Sequence, residues 1–297
     1  CGAVGGLMVL GDPAEQRRAV ERALEAGISY FDTAALYGDG RSEENIGRVL
    51  RELDAWDRVV VGTKTRVDSA DNPRPVVRQA LEASLRRLGH DSVDVYHYHN
   101  SVTKNDLQRV LGEIARGFED VVSAGLAKHA GFTGLGETPA IVEVLRSEPY
   151  ETVQTYFNVL NPSAGFAGRS GGQQDFGGMI DTAASAGRGV IVIRVLAAGA
   201  ATAQAARAEN AGDPGRGIAA GASFEADVAR AQALVDIARE LGMESTVELA
   251  LRFGLTKPGV STVLVGYSNY DHLEQAIRFA ERGPLAEDVV QRVLTSA

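Results

Sequence analysis

Residues 28–38 read Ile-Ser-Tyr-Phe-Asp-Thr-Ala-Ala-Leu-Tyr-Gly, a short apolar run that ends in an acid and leads into small residues closed by a glycine. The pattern predicts a strand that ends near Asp32 and a loop that carries Tyr37. In a parallel barrel, the active site is built at the carboxyl ends of the strands and on the loops that follow them. Asp32 and Tyr37 are therefore the first two candidates for a catalytic pocket.

The rest of the chain repeats this unit, in which a short, often β-branched run precedes a longer helical segment. Such alternation is typical of βα units around a parallel sheet. The predicted strands are residues 2–9, 29–32, 59–64, 93–99, 130–133, 152–158, 189–196 and 262–267. The predicted helices are residues 14–25, 42–53, 74–88, 104–123, 138–146, 179–186, 224–241 and 271–281.

Eight such units predict a (β/α)8 TIM barrel, a parallel eight-stranded barrel with surrounding helices, formed by residues 1–297 as a single domain. A doubly wound sheet is the alternative, but no predicted strand is followed by its usual Gly-x-Gly-x-x-Gly turn. Residues 197–223, rich in Ala and Gly, are predicted to be either a loop that covers a bound ligand or a floppy insertion. The chain starts without methionine inside a predicted strand, which suggests missing upstream residues.

Composition narrows the classes of function. The net charge of -9 and the lack of clustered Lys and Arg argue against a nucleic-acid surface. No run reaches the ~18 apolar residues of a membrane span. Cys1 is the only cysteine, so the chain has no intramolecular disulfide or cysteine-based zinc site, which fits a cytoplasmic location. We expect small-molecule partners and no metal, and the oligomeric state stays open.

Further chemistry-bearing residues end the next two predicted strands. Lys64 ends the third strand, and His97 and His99 end the fourth. Taken singly, each of these residues, like Asp32 or Tyr37, has an explanation in turn capping, packing or solvation. Together, however, these residues occupy the ends of successive strands. Turn capping, packing or solvation does not explain why they recur at these positions.

This set of groups suits the delivery of a proton to a carbonyl oxygen while a hydride reaches the carbonyl carbon. A phenol has a pKa near ~10, so we expect the Lys64 ammonium to favour the phenolate and make Tyr37 a stronger acid. Asp32 would keep Lys64 charged, and a neutral histidine would hydrogen-bond the carbonyl oxygen. The hydride itself would come from a nicotinamide cofactor.

The residues lie in ordered motifs that cover nearly the whole chain. They are Asp-Thr-Ala-x-x-Tyr-Gly at 32–38, Thr-Lys at 63–64, Asp-Val-Tyr-x-x-His at 94–99, Gly-Phe-Thr at 131–133, Val-Gln-Thr-Tyr-Phe-Asn at 153–158 and Val-Gly-Tyr-Ser at 265–268. In this combination the chain resembles the aldo-keto reductases. The resemblance implies a (β/α)8 barrel, an NAD(P) cofactor and an N-terminal hairpin, which is then apparently missing here.

The resemblance also implies a catalytic tetrad at Asp32, Tyr37, Lys64 and His99. The residues alone leave the histidine open, because His97 and His99 are two apart on one strand and share a face. The family's spacing from the aspartate of the third motif selects His99.

Cofactor contacts implied by the resemblance fall at Asp32, Thr133, Gln154, Ile193, Arg194, Leu196, Gly266, Ser268, Asn269, His272, Glu274 and Gln275, with residues 197–223 as the covering loop. Gln154 matches the family's glutamine, whereas Thr133 and Gly134 replace its Ser-Asn pair. The seventh strand ends without the aromatic residue that stacks on the nicotinamide, so Ile193 or the guanidinium of Arg194 would cover that ring. Arg194 could instead meet a cofactor phosphate or an acidic substrate.

The choice between NADP and NAD depends on the last motif. Binding of the 2′-phosphate usually involves Lys or Arg. Residues 266–272 contain neither and offer Ser268, Asn269 and His272, while Glu274 and Gln275 match the positions that hold adenine. We therefore expect at most a modest preference for NADP, with use of NAD plausible.

Three functions are compatible with these residues. The preferred one is an NAD(P)-dependent oxidoreductase that reduces an aldehyde or ketone, or oxidises an alcohol or sugar hemiacetal, with Tyr37 as general acid/base. The second is a nucleotide-sensing regulatory subunit that resembles the potassium-channel β subunits. The third is a lyase or isomerase in which Lys64 forms a Schiff base. The substrate stays open, because loop geometry sets specificity on this fold.

Overall fold

A computed structural model describes residues 6–68, 71–213 and 219–296. Within them, seven parallel strands form one sheet in which each strand pairs with the next along the chain. This order, with helices between the strands, makes a nearly closed parallel α/β barrel of the TIM-barrel type. The strands are β1 Tyr30–Asp32, β2 Val60–Thr65, β3 Val93–Tyr98, β4 Ala127–Thr133, β5 Thr152–Tyr156, β6 Gly189–Ile193 and β7 Thr262–Val263.

Helices surround the sheet and bury its outer face. Val61, Val153 and Val190 in the strands are fully buried, as expected for β-branched residues covered by helices. None of the helices in the described ranges is long and apolar enough to cross a membrane. The helices are α1 Leu7–Leu10, α2 Pro13–Glu25, α3 Arg41–Glu52, α4 Pro73–Leu88, α5 Leu107–Arg109, α6 Ala115–Ser123, α7 Thr138–Leu145, α8 Met179–Ser185, α9 Phe224–Glu240, α10 Thr246–Gly254, α11 Tyr270–Ala280 and α12 Glu287–Ser296.

Side-chain caps start the two helices that flank the gap in the barrel. The Asp12 carboxylate accepts hydrogen bonds from the backbone N–H groups of Ala14 and Glu15 at the start of α2. The Asn269 side chain accepts one from the N–H of His272 at the start of α11. Both caps satisfy N–H groups that a helix start leaves unpaired.

The prediction of a first strand over residues 2–9 is wrong where the structure describes it. Residues 2–5 lie outside the described residues, and Leu7–Leu10 form a helical turn. Gly6 has a positive φ of 93°, which ends any extended backbone before the turn. The Leu7 N–H donates to the Tyr267 carbonyl at 3.2 Å, so this turn lies beside the chain after β7. An eighth strand is therefore not seen in the described part of the chain.

Other predicted bounds also need correction. The predicted strand over 189–196 ends at Ile193, and the predicted helix over 104–123 is interrupted at Gly112, whose backbone is not helical. The helices α10 and α12 were not predicted; they lie outside the eight predicted strand and helix pairs.

The predicted covering loop begins as a packed segment. Residues Ala197–Thr202 form a 3-10 helix whose Ala197, Ala200 and Ala201 are buried, and this segment packs against α9. Further on, the Asn210 side chain donates to the Ser268 carbonyl at 3.3 Å. The loop therefore reaches the segment after β7, while residues 214–218 of the prediction lie outside the described residues.

Candidate active site

A buried ion pair lies at the ends of the first two strands. In register, Asp32 pairs with Gly62, so Lys64 lies two residues beyond the level of Asp32 toward the carboxyl end of the barrel. The Lys64 ammonium lies 2.5 Å from the Asp32 carboxylate and also donates to the Thr33 carbonyl at 2.7 Å. Lys64 is only 1% exposed. The cation is thus held by two oxygens in a site that water hardly reaches.

The environment keeps Lys64 charged. Burial by itself would lower the pKa of Lys64, but the Asp32 carboxylate and the Tyr37 phenol together outweigh burial, and the pKa stays above its usual value. A lysine that attacks a carbonyl must first lose its proton. The pairing with Asp32 therefore argues against Lys64 as a Schiff-base nucleophile.

Tyr37 reaches this ion pair from a tight turn. The Tyr37 N–H donates to the Ala34 carbonyl at 3.0 Å, and Gly38 continues the turn with a φ of 61°. A Cβ atom on Gly38 would come within 2.4 Å of a Val9 methyl group, so only glycine fits there. The turn places the Tyr37 ring centroid 4.7 Å from the Lys64 ammonium, within cation–π range.

The acidity of Tyr37 differs from the sequence-based expectation. Burial raises the pKa of the Tyr37 phenol, and the Lys64 ammonium opposes this rise without cancelling it. The expected fall below the usual value was wrong because desolvation of a phenolate is the larger effect. Tyr37 therefore carries its proton at neutral pH, which is the state required of a general acid.

The structure separates the two histidines of the third motif, His97 and His99. The His99 ring meets the Tyr37 ring edge-on, with centroids 5.9 Å apart and an interplanar angle of 76°. His97 is fully buried, and its Nε2 atom lies 3.1 Å from the Thr152 hydroxyl. A Cβ atom on Gly131 would come within 2.6 Å of the His97 ring, so this glycine makes room for it. His99 is the histidine at the pocket, and His97 lies in the core.

Both imidazoles are neutral. Burial, with a smaller contribution from the Lys64 charge, lowers the pKa of His97 to about 3 and that of His99 to about 3. A neutral imidazole can hydrogen-bond a carbonyl oxygen without bringing a charge next to Lys64. This matches the role expected for His99.

The buried neutral histidine predicts an acid sensitivity of folding. The pKa of His97 is about 3 in the folded protein and near ~6.5 when unfolded. Between these values the unfolded state binds more protons, so stability is lost as the pH falls, by about 1.4 kcal/mol per pH unit from this residue. Urea unfolding at pH values from 6 to 4 should show a steeper loss in the wild type than in His97→Gln. Equal slopes would contradict the assignment.

The start of α3 braces the strand ends. The Thr33 hydroxyl donates to the Ser42 hydroxyl at 2.8 Å, and the Thr63 hydroxyl donates to the Glu43 carboxylate at 2.5 Å. Glu43 is fully buried and also accepts from Arg87 of α4 at 2.6 Å. These contacts fix the residues next to Asp32 and Lys64. They arise from tertiary packing between residues distant in sequence, which no local sequence pattern indicates.

Thr133, the last residue of β4, lies beside Gln154 in the middle of β5, as their register pairing requires. The Gln154 amide donates to the second Asp32 oxygen at 2.6 Å, which ties β5 to the ion pair. Thr133 is 1% exposed, and its hydroxyl finds no hydrogen-bond partner in the described chain. A buried unpaired hydroxyl is costly unless a ligand satisfies it.

The end of β6 turns sharply at Arg194. Arg194 has a φ of 58°, in the left-handed region, and its carbonyl accepts a hydrogen bond from the Asn158 side chain at 3.1 Å. Ile193 and Leu196 on either side of this turn are partly buried. Sequence reasoning assigned no role to Asn158, although it closes the fifth motif.

The residues predicted to hold the adenosine end lie around the start of α11. Gly266 and His272 are exposed, while Ser268, Asn269 and Gln275 are partly buried. Glu274 faces α2 instead, where its carboxylate pairs with Arg22 at 2.7 Å. This pairing commits Glu274 to a contact between helices that the sequence pattern did not suggest.

The sequence and the fold agree with those of known proteins. A sequence profile described as "Aldo/keto reductase family" matches residues 4–295. The chain belongs to the aldo/keto reductase family.

Two relatives can be aligned with most of the chain. The L-glyceraldehyde 3-phosphate reductase of Escherichia coli K12 is 29% identical over 284 residues, which cover 89% of the chain and 78% of the relative. A probable voltage-gated potassium channel subunit beta of Oryza sativa is 26% identical over 297 residues, which cover 95% and 87%.

Solved structures of this family share the barrel. The holo form of an aldo-keto reductase from Bacillus halodurans superposes with a TM-score of 0.74 at 23% identity, covering 99% of this chain and 92% of its own. An aldo/keto reductase from Klebsiella pneumoniae, in complex with NADP and acetate, gives 0.68 at 19% identity, covering 98% and 89%. At these identities the likeness establishes the fold.

Proposed function

We propose that this aldo/keto reductase family member is an NAD(P)-dependent oxidoreductase that reduces an aldehyde or ketone, or oxidises the corresponding alcohol or hemiacetal, with Tyr37 as general acid/base. The observation that carries the proposal is the arrangement around Lys64. Its ammonium lies 2.5 Å from the Asp32 carboxylate and 4.7 Å from the Tyr37 ring centroid. A protonated phenol, a fixed cation and a neutral imidazole thus meet in one pocket.

Each group has one task in the proton transfer. Tyr37 donates its proton to the carbonyl oxygen, and the phenolate that remains lies beside the Lys64 ammonium, which stabilises it. Asp32 keeps that ammonium charged and in place. His99 donates a hydrogen bond that orients the carbonyl oxygen. In the oxidative direction the same phenolate takes the proton back.

The residues fit a nicotinamide cofactor, which supplies the hydride when it is bound. The unpaired Thr133 hydroxyl and the neighbouring Gln154 amide are suited to the carboxamide group. Ile193 and Leu196 provide apolar surface at the end of β6, and the start of α11 offers Ser268 and Asn269 to the adenosine end. The solved relatives that contain NADP and NADPH support NADP as one cofactor. The lack of Lys and Arg in residues 266–272 supports NAD as a second cofactor.

The substrate is a small carbonyl compound. The relative named for L-glyceraldehyde 3-phosphate supports a short aldehyde as the first compound to test. Short aldoses and simple aldehydes belong in the same panel, because the loops that set specificity differ at this identity.

A panel assay tests the proposal. The purified chain is mixed with NADPH or NADH and with glyceraldehyde, glyceraldehyde 3-phosphate, aldoses and an aromatic aldehyde, while the nicotinamide absorbance is followed. We expect oxidation of the cofactor with at least one compound and affinities for the two cofactors within about 100-fold, or about 2.7 kcal/mol. A larger preference for NADPH would contradict the expected cofactor range.

The relative named as a potassium-channel β subunit favours one second candidate, a regulatory subunit that binds the cofactor and docks on another protein. Tight binding of NADPH with no oxidation by any carbonyl compound of the panel would favour it. Borohydride trapping of a substrate on Lys64 would instead favour the lyase, against which the charge on Lys64 argues.

A further inference from the structure

Arg194 is a cation without a partner at the edge of the catalytic pocket. Its side chain is partly buried, and within residues 6–68, 71–213 and 219–296 it neither forms an ion pair nor donates a hydrogen bond. Arg22 and Arg87, which are also partly buried, each have a carboxylate partner. A desolvated guanidinium is costly unless an anion balances it. We therefore expect that a ligand supplies the anion that balances the charge of Arg194.

The groups nearest to Arg194 place it beside the chemistry. Tyr156 in β5 pairs in register with Ile193, the residue before Arg194, and the charges of Tyr37 and Arg207 also influence the pKa of Arg194. Burial lowers the pKa of Arg194, and the second arginine lowers it further. Arginine nevertheless stays charged in proteins. Because the Asp32 charge is cancelled by Lys64, the pocket carries a net positive charge.

The backbone fixes the direction of Arg194. Four of the six non-glycine residues with positive φ in the described chain fall within ten positions here, namely Arg194, Ala197, Ala198 and Ala203. Such conformations persist where surrounding contacts impose them, and they concentrate at functional sites. The contacts here come from Asn158 to the Arg194 carbonyl, from Arg207 to the Ala198 carbonyl at 2.9 Å and from Gln232 to the Ala203 carbonyl at 2.6 Å.

We propose that Arg194 binds an anionic group of the substrate, a carboxylate or a phosphate, and so selects acidic carbonyl compounds. The guanidinium offers two parallel N–H donors that match either anion. Its closeness to Tyr37 favours the substrate as the source of the anion, and the cofactor diphosphate is the other source. This proposal rests on the proposed function, because it assumes that the carbonyl group lies at Tyr37.

A binding experiment tests the anion site without catalysis. Succinate and inorganic phosphate are titrated calorimetrically into the full chain, with and without NADPH, for the wild type, Arg194→Met and Arg194→Lys. Arg78→Gln is the control, because it removes one exposed arginine that pairs with Glu82 on α4. We expect at least a tenfold loss of anion affinity in Arg194→Met, a smaller loss in Arg194→Lys and none in the control. Equal affinities in the wild type and Arg194→Met would overturn the proposal.

A kinetic experiment identifies the source of the anion. Matched pairs of compounds, glyceraldehyde 3-phosphate with glyceraldehyde and succinic semialdehyde with butanal, are compared in the same variants. We expect Arg194→Met to lower kcat/KM for the acidic member of each pair by about 10- to 100-fold, with the neutral member and the NADPH affinity within about threefold. Loss of NADPH affinity with an unchanged preference between pair members would assign Arg194 to the cofactor and overturn the proposal.

The two proposals fail in different ways. If the wild type reduces no carbonyl compound, the proposed function fails. The calorimetric titrations still test whether Arg194 binds an anion, because they do not depend on catalysis. If Arg194→Met does not fold, as judged by circular dichroism, Arg194→Lys keeps the charge and tests the two-pronged geometry. Unchanged anion affinity and an unchanged preference for acidic compounds in Arg194→Lys would then overturn the proposal, because the paired N–H donors of the guanidinium would not be what holds the anion.

Discussion

Replacing Tyr37 with phenylalanine is expected to lower kcat for carbonyl reduction by about 10²- to 10⁴-fold, the usual contribution of a general acid. The ring would still pack 4.7 Å from the Lys64 ammonium and against His99, so binding of NADPH should change by less than about threefold. Stopped-flow reduction of the best aldehyde of the panel and fluorescence titration of NADPH measure the two quantities separately.

Tyr30→Phe is the matched control for this change. The Tyr30 hydroxyl is buried in β1, two residues from Asp32, and has no hydrogen-bond partner among the described residues. Its removal should leave kcat unchanged. If Tyr37→Phe kept more than about a tenth of the wild-type kcat, far above the expected loss, another group would have to supply the proton.

Replacing Lys64 with methionine is expected to have the second large effect, on both activity and stability. The variant leaves the Asp32 carboxylate in a site only 10% exposed without its cation. Loss of one member of a buried pair usually costs about 3–5 kcal/mol of folding free energy. We also expect at least about a 10²-fold loss of kcat, because nothing then stabilises the phenolate of Tyr37.

The double variant Lys64→Met with Asp32→Asn isolates the ion pair. Because asparagine carries no charge, the double variant should recover about 1–3 kcal/mol of the unfolding free energy lost by Lys64→Met alone. The activity should not recover. Additive losses of stability in urea unfolding would show that the two side chains do not interact as described.

The grouping of residues in the candidate pocket was largely predictable from the sequence because parallel strands place their carboxyl ends at one edge. Asp32 and Lys64 end adjacent strands, so the regular pairing of β1 with β2 brings them together whatever the loops do. The Tyr37 loop is only five residues from Asp32, which leaves it little freedom to point elsewhere. The positions of Asp32, Tyr37 and Lys64 therefore follow mainly from strand register and from the short loop after β1.

Other features depend on burial or on backbone torsions that no local pattern encodes. The pKa of Tyr37 rises because the phenol is enclosed by residues distant in sequence, and its direction was predicted incorrectly. The turn at Arg194 uses a left-handed torsion that arginine does not favour, and it is held by Asn158 from the segment after β5. The apolar run at 7–9 matched a buried strand, although a positive φ at Gly6 starts a helical turn there.

The most direct test of the central claim follows the hydride itself. The wild-type chain is incubated with NADPH that carries deuterium at the transferred position and with the best aldehyde of the panel, and the alcohol product is analysed by mass spectrometry. The proposed function predicts one deuterium on the carbon that bore the carbonyl oxygen, and formation of this deuterated alcohol about 10²- to 10⁴-fold more slowly when Tyr37→Phe is used. An alcohol formed without deuterium, or a cofactor that binds and is never oxidised, would contradict the claim.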